Sequence, residues 1–127
     1  MDRRLQELVW RRARGLCEYC RLPATVHSDP FPIDHIIARQ HGGETVESNL
    51  ALSCFRCNTH KGPNIAGIDP LTREIVPLFH PRNQRWNQHF RWEKGVLIGL
   101  TASARATIEV LDINNTVRVA LRESLME

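Results

Sequence analysis

The 127 residues suffice for one domain, and a second independent core is not expected at that length. A hydrophobic fraction of 42% and a charged fraction of 24% are ordinary for a globular chain, which excludes wholesale disorder, and no apolar run approaches the ~18 residues of a membrane span. Seventeen Lys and Arg against fourteen Asp and Glu leave a net charge of +3, which permits contact with a polyanion without establishing it.

Met1-Asp2-Arg3-Arg4 leads into a charged amphipathic stretch rather than an apolar secretory leader, so a cytoplasmic setting without a membrane partner is expected. Leu5, Leu8, Val9 and Leu16 fall on one helical stripe, which predicts a helix over residues 2 to 14 ended by Gly15, its arginines on the solvated face. From Cys17 to Gly62 the chain is turn-rich. Short apolar runs at Pro32 to Ile37 and Leu50 to Ser53 predict two strands, followed by a short helix from about Phe55. Pro63 to Arg82 reads as loop, with a hairpin around Asp69-Pro70-Leu71-Thr72. Trp86, Phe90 and Trp92 are read as packing for the C-terminal part. Ala104, Ile108 and Leu111 predict a helix capped by Thr101, with the Ile108/Val110 alternation leaving a strand open. Val117, Ala120, Leu121, Ser124 and Leu125 predict a last helix capped by Thr116. The expected organisation is an N-terminal helix over 1–15, a core over 16–62, and a loop-rich extension over 63–127 packing on that core.

All four cysteines lie in two Cys-x-x-Cys pairs, Cys17/Cys20 and Cys54/Cys57. Each pair presents two sulfurs to one ion and the intervening chain returns the second pair, which is the spacing of a tetrahedral structural zinc. Two disulfides are the alternative, which a reducing compartment disfavours. A thiol-redox protein would instead want one such pair beside a βαβ pattern. His27, His41, His80 and His89 lack a metal-ligand spacing and are read as surface or packing residues.

Asp34 and His35 sit inside an apolar strand, where alternation sends them to opposite faces, so each needs a metal, a hydrogen-bond partner or water. The succession Cys-x-x-Cys, Asp34-His35-Ile36-Ile37, Gly42-Gly43, Asn49-Leu50, Cys-x-x-Cys-Asn58-x-x-Lys61 resembles the HNH endonuclease family over about Leu16 to Gly62. The resemblance implies an α+β fold: a zinc-braced ββα-metal core with the N-terminal helix before it and a C-terminal α/β extension after it. It further implies that His35 is the general base and that Asp34 and Asn58 hold one catalytic divalent ion. Asn49 would hold the hairpin loop and orient the base, and Lys61 would approach phosphate. Arg39 and Arg56 flank that site and are candidate phosphate contacts. The family often carries proline where Ala38 stands here.

The residue chemistry points the same way. Phosphodiester hydrolysis needs an activated water and charge neutralisation on the phosphoryl and leaving oxygens, which a neutral imidazole and a metal ion supply. Oxygen donors from Asp34 and Asn58 suit Mg²⁺ or Mn²⁺, whereas the four thiolates suit zinc. The expected function is therefore metal-dependent phosphodiester hydrolysis of DNA, with double-stranded DNA the leading substrate. The rival reading is a catalytically silent zinc module that binds nucleic acid or protein, which needs the cysteines but not His35, Asp34 or Asn58.

Overall fold

Asp2 opens the first helix by accepting the Arg4 N–H at its side chain, and Arg14 closes it in the left-handed conformation at φ 56°. In the computed structural model, which describes residues 1–126, this helix is α1 (Arg3–Ala13). Its apolar stripe buries Val9 and Ala13 against β2. Arg12 departs from the expected solvated face. Its Nη2 donates to the carbonyls of Glu47 and Leu50 and so ties α1 to the turn preceding β2.

Strand β1 (Ile33–His35) pairs antiparallel with β2 (Leu50–Leu52), placing Ile33 opposite Leu52, Asp34 opposite Ala51 and His35 opposite Leu50. Helix α2 (Phe55–Lys61) follows directly, capped by the Cys54 sulfur, which accepts the Cys57 N–H. This strand–strand–helix succession is the one expected.

The hairpin expected near Asp69 is also present, as β3 (Ala66–Ile68) paired with β4 (Ile75–Pro77). Asp69 organises its turn by accepting from Leu71 N–H and the Thr72 hydroxyl. A short helix α3 (Trp86–His89) then leads into a second hairpin, β5 (Phe90–Glu93) with β6 (Val96–Gly99). Helix α4 (Ala102–Val110) begins at Thr101, whose side chain accepts the Ala104 N–H as expected; the region is helix, not strand.

The last helix, α5 (Thr116–Leu125), corrects two expectations. Its cap is Asn115, whose side chain accepts the Arg118 N–H, rather than Thr116. Its buried face is also not the predicted apolar stripe: Val117 is 76% exposed and Leu125 47%, while Arg118 and Arg122 are enclosed at 3% and 4%. Carbonyls and sulfurs on the neighbouring elements call for guanidinium donors there, and that demand outweighs the apolar periodicity.

One apolar cluster joins both halves of the chain, from Val9, Cys17 and Leu52 to Phe79, Phe90, Leu97, Leu111 and Ile113. Within it Trp86 lies against Phe90 and Trp92 at centroid distances of 5.2 and 5.6 Å, the packing role expected for these rings. The architecture is α+β, with small antiparallel ribbons and helices around a four-cysteine cluster. Among the described residues no helix is long and apolar enough to cross a membrane.

Candidate active site and metal centre

The first knuckle is pinned by the backbone: Cys17 N–H donates to Leu22 C=O, Cys20 N–H to the Cys17 sulfur, and Leu16 bridges Pro23. The second knuckle is the first turn of α2. Between them they bring four buried, free thiols together, every Sγ within 4.8 Å of the others. Cys20 and Cys54 Sγ stand 3.8 Å apart. Four sulfurs at ~2.3 Å from one tetrahedral ion would be separated by about that distance. Burial, helped by the neighbouring sulfurs, pushes the Cys17 and Cys57 thiols well above their ordinary value, while hydrogen bonds from the other sulfurs draw Cys20 and Cys54 below theirs, so holding all four as thiolates calls for a compensating cation. The four cysteines are positioned to bind one metal ion and are compatible with zinc.

The residues inside the first knuckle fasten it to the hairpin. The Glu18 carboxylate accepts Leu52 N–H at the end of β2 and pairs with Arg82. Tyr19 sends its hydroxyl to Asp34 Oδ2 at 2.7 Å. Alternation along β1 turns Asp34 inward, where it is 4% exposed, and leaves His35 half-buried on the other face.

Lys61 lies elsewhere than expected. At the last position of α2 it is 1% exposed, and its ammonium reaches Asp34 Oδ1 at 3.3 Å, Asp34 Oδ2 at 3.2 Å and the His35 carbonyl at 3.2 Å. An enclosed ammonium with three such acceptors is not directed at a phosphate in solvent, so the expected phosphate contact is replaced by an internal ion pair. Burial pushes the Asp34 carboxyl above its usual range, against the opposing pull of Lys61 and Tyr19.

On the outer face His35 Nε2 meets the Thr45 hydroxyl at 2.8 Å, and the same hydroxyl accepts from Arg39 at 3.2 Å. The loop carrying these groups is held by Asn49. Its amide nitrogen donates to the carbonyls of Ile37 and Glu44, and its amide oxygen accepts Ile37 N–H. The two glycines of this loop have different tasks. Gly42 takes φ 88° where a short turn ends, and at Gly43 a Cβ would stand 1.7 Å from the Ile37 carbonyl oxygen. Ala38, with φ −59°, adopts a backbone that a proline could also take.

Asn58 is half-buried on α2, and no side-chain hydrogen bond is formed by it among the described residues. Together with Asp34, His35, Ala38, Arg39, Gly62 and Pro63 it lines an open cavity of about 320 Å³. Arg56 lies outside this cavity and pairs with Asp112 at 3.6 Å. His60 is exposed and also outside it. Of the other histidines, His27 and His89 are engaged with Pro23 C=O and the Thr101 hydroxyl, and His80 accepts from Arg82 and Asn83 N–H.

Sequence reasoning missed four contributors: Glu18 and Tyr19 within the first knuckle, Thr45 beside the imidazole, and Arg118 at the sulfurs. The available signal was the make-up of the knuckle itself, since a carboxylate and a phenol between two buried cysteines must find polar partners.

A mixed α+β unit with one metal-binding cysteine cluster beside a hairpin and helix is the class this geometry defines. Residues 17–64 match the family model for HNH endonuclease. No curated protein and no solved structure matches the chain.

Proposed function

We propose that the protein is a metal-dependent endonuclease that hydrolyses phosphodiester bonds of double-stranded DNA. The observation that carries this reading is the cavity shared by Asp34, His35, Arg39 and Asn58. The donor set fits a hard divalent ion. Tyr19 and the bridging Lys61 occupy three of the roughly four lone-pair directions of the Asp34 carboxylate, which leaves one on Oδ1, and among the described residues the Asn58 amide forms no side-chain hydrogen bond.

Asp34 and Asn58 would hold Mg²⁺ or Mn²⁺, which when bound supplies positive charge for the phosphoryl and leaving 3′ oxygens. His35 takes the proton from the attacking water. If Nε2–H donates to the Thr45 hydroxyl, Nδ1 is the unprotonated nitrogen free to accept it. Asn49 keeps the loop that presents Thr45 in register with the strand. Arg39, exposed at the cavity rim, meets the phosphate backbone. Arg56, paired with Asp112 and outside the cavity, is kept only as a peripheral backbone contact.

Plasmid nicking in the presence of Mg²⁺, its loss with a brief EDTA treatment that leaves zinc in place, and its return on Mg²⁺ add-back are the expected results. One observation favours the rival reading of a silent zinc module: Asp34 already has a charge partner in Lys61. A protein that retains zinc, binds DNA and cleaves nothing under any divalent ion would establish that reading instead.

A further inference from the structure

Asp34 is gripped from two sides, and both grips originate in the cysteine knuckles. Tyr19 stands between Cys17 and Cys20, so its hydroxyl is set by the first knuckle. Lys61 lies one helical turn beyond Cys57, so its ammonium is set by the helix that the second knuckle starts. Both side chains are essentially excluded from solvent, at 1% exposure. Neither can reach a substrate, and both touch a group that lines the cavity.

We infer that Tyr19 and Lys61 are positioning residues of the site, through which the cysteine cluster fixes the orientation of the Asp34 carboxylate and the backbone of His35. The inference rests on the nuclease reading above. Tyr19 saturates Oδ2 and Lys61 bridges the two oxygens, so the carboxylate cannot rotate without breaking a charge-assisted bond, and the direction left on Oδ1 is fixed. Lys61 also holds the His35 carbonyl, so one ammonium sets both the ion-binding carboxylate and the chain segment that carries the base. Partners of this kind orient metal ligands without touching the metal.

The test is Tyr19→Phe, which keeps the buried ring and deletes only the hydroxyl, studied on the zinc-loaded full chain. Free Mn²⁺ is titrated by electron paramagnetic resonance, and the Mn²⁺ dependence of plasmid nicking is measured beside it. Both half-saturation points should rise together by roughly ten- to a hundred-fold, the usual cost of removing such a partner, with zinc content unchanged. In an Asp34→Asn background the added Tyr19→Phe change should have no further effect on Mn²⁺ binding, because its action passes through that carboxylate. Lys61→Met removes a charge that competes with the ion together with the bonds that orient the carboxylate and the His35 carbonyl, so its readout is nicking at saturating Mn²⁺, which should fall. If that variant does not fold, Tyr19→Phe decides alone.

Parental Mn²⁺ binding in Tyr19→Phe, or an equal loss with and without Asp34, overturns the inference while leaving the nuclease reading intact. A parent protein that neither binds Mn²⁺ nor nicks DNA overturns that reading and the inference with it.

Discussion

Arg118 on α5 donates from Nη2 to Cys57 Sγ at 2.8 Å and to Cys54 Sγ at 3.5 Å. Its Nη1 meanwhile binds the carbonyls of Leu111 and Asp112. A helix more than fifty residues downstream in the chain is thereby latched onto the second knuckle by a charge.

The first prediction follows from that latch. Arg118→Met keeps the length of the side chain but leaves the sulfurs without their cation, and removing one partner of a buried charged pair costs about 3 kcal/mol or more. The variant should melt earlier and surrender zinc faster to a chromophoric chelator. Unchanged melting and chelator kinetics would show that the contact carries no charge compensation.

The cysteines themselves give a larger effect. Cys17→Ser or Cys54→Ser breaks the tetrahedral set, and a structural zinc contributes on the order of 10 kcal/mol of folding free energy in small domains. Zinc content measured by atomic absorption should fall well below one per chain, with loss of cooperative melting. A variant that keeps full zinc stoichiometry and stability would remove the structural-zinc claim.

Base and ion ligands should separate in a metal titration of cleavage. His35→Ala deletes the proton acceptor and should lower turnover by ~10²–10⁴-fold without changing the Mg²⁺ requirement. Asn58→Ala should raise the Mg²⁺ needed for half-maximal cleavage, with recovery at high metal. Asp34→Ala removes the carboxylate that lines the cavity and also strands the buried Lys61, so it should recover poorly. Parental cleavage by His35→Ala would refute the assignment of the base.

Acid sensitivity is expected from a different place. Arg105 forks onto Asp69, Nε to Oδ1 at 2.9 Å and Nη2 to Oδ2 at 2.8 Å, and this holds the Asp69 carboxyl well below the usual carboxylate range. A carboxyl depressed in the folded state adds stability above its unfolded pKa, and that stability is lost as pH falls through the folded value. Melting temperature should therefore drop on acidification below about pH 4, and Asp69→Asn should be less stable near neutrality and show a shallower acid decline. An Asp69→Asn protein with the parental acid profile would assign the decline to other carboxylates.

The parts of the molecule that announced themselves in the sequence are those where spacing is the constraint. Two Cys-x-x-Cys pairs, an apolar strand interrupted by Asp34-His35, and Thr101 ahead of a helical stripe each limit the chain to few conformations. The β5–β6 hairpin is written in the alternation of Phe90-Arg91-Trp92-Glu93 and the Lys94-Gly95 turn, a period-two signal that lies on the same residues as the aromatic packing. The buried face of α5 was not legible. Counting apolar residues selects Val117 and Leu125, whereas the surroundings demanded donors, and no local pattern reports what a distant sulfur needs. Lys61 is a similar case, since a lysine at a helix end is ordinarily solvated and only the tertiary position of Asp34 brings it inside.

Segment 17–64 is the stretch a family comparison recognises, yet several of its polar groups are completed from outside it. The Cys57 sulfur leans on Arg118, the Tyr19 carbonyl accepts the Trp86 indole N–H, and the Glu18 carboxylate pairs with Arg82. A graft of these residues into another scaffold would carry the recognisable signature and leave a sulfur, a carboxylate and a carbonyl open to water. The host would have to provide two guanidiniums and an indole in the same places. Portability of this motif is therefore set by residues that carry none of its signature.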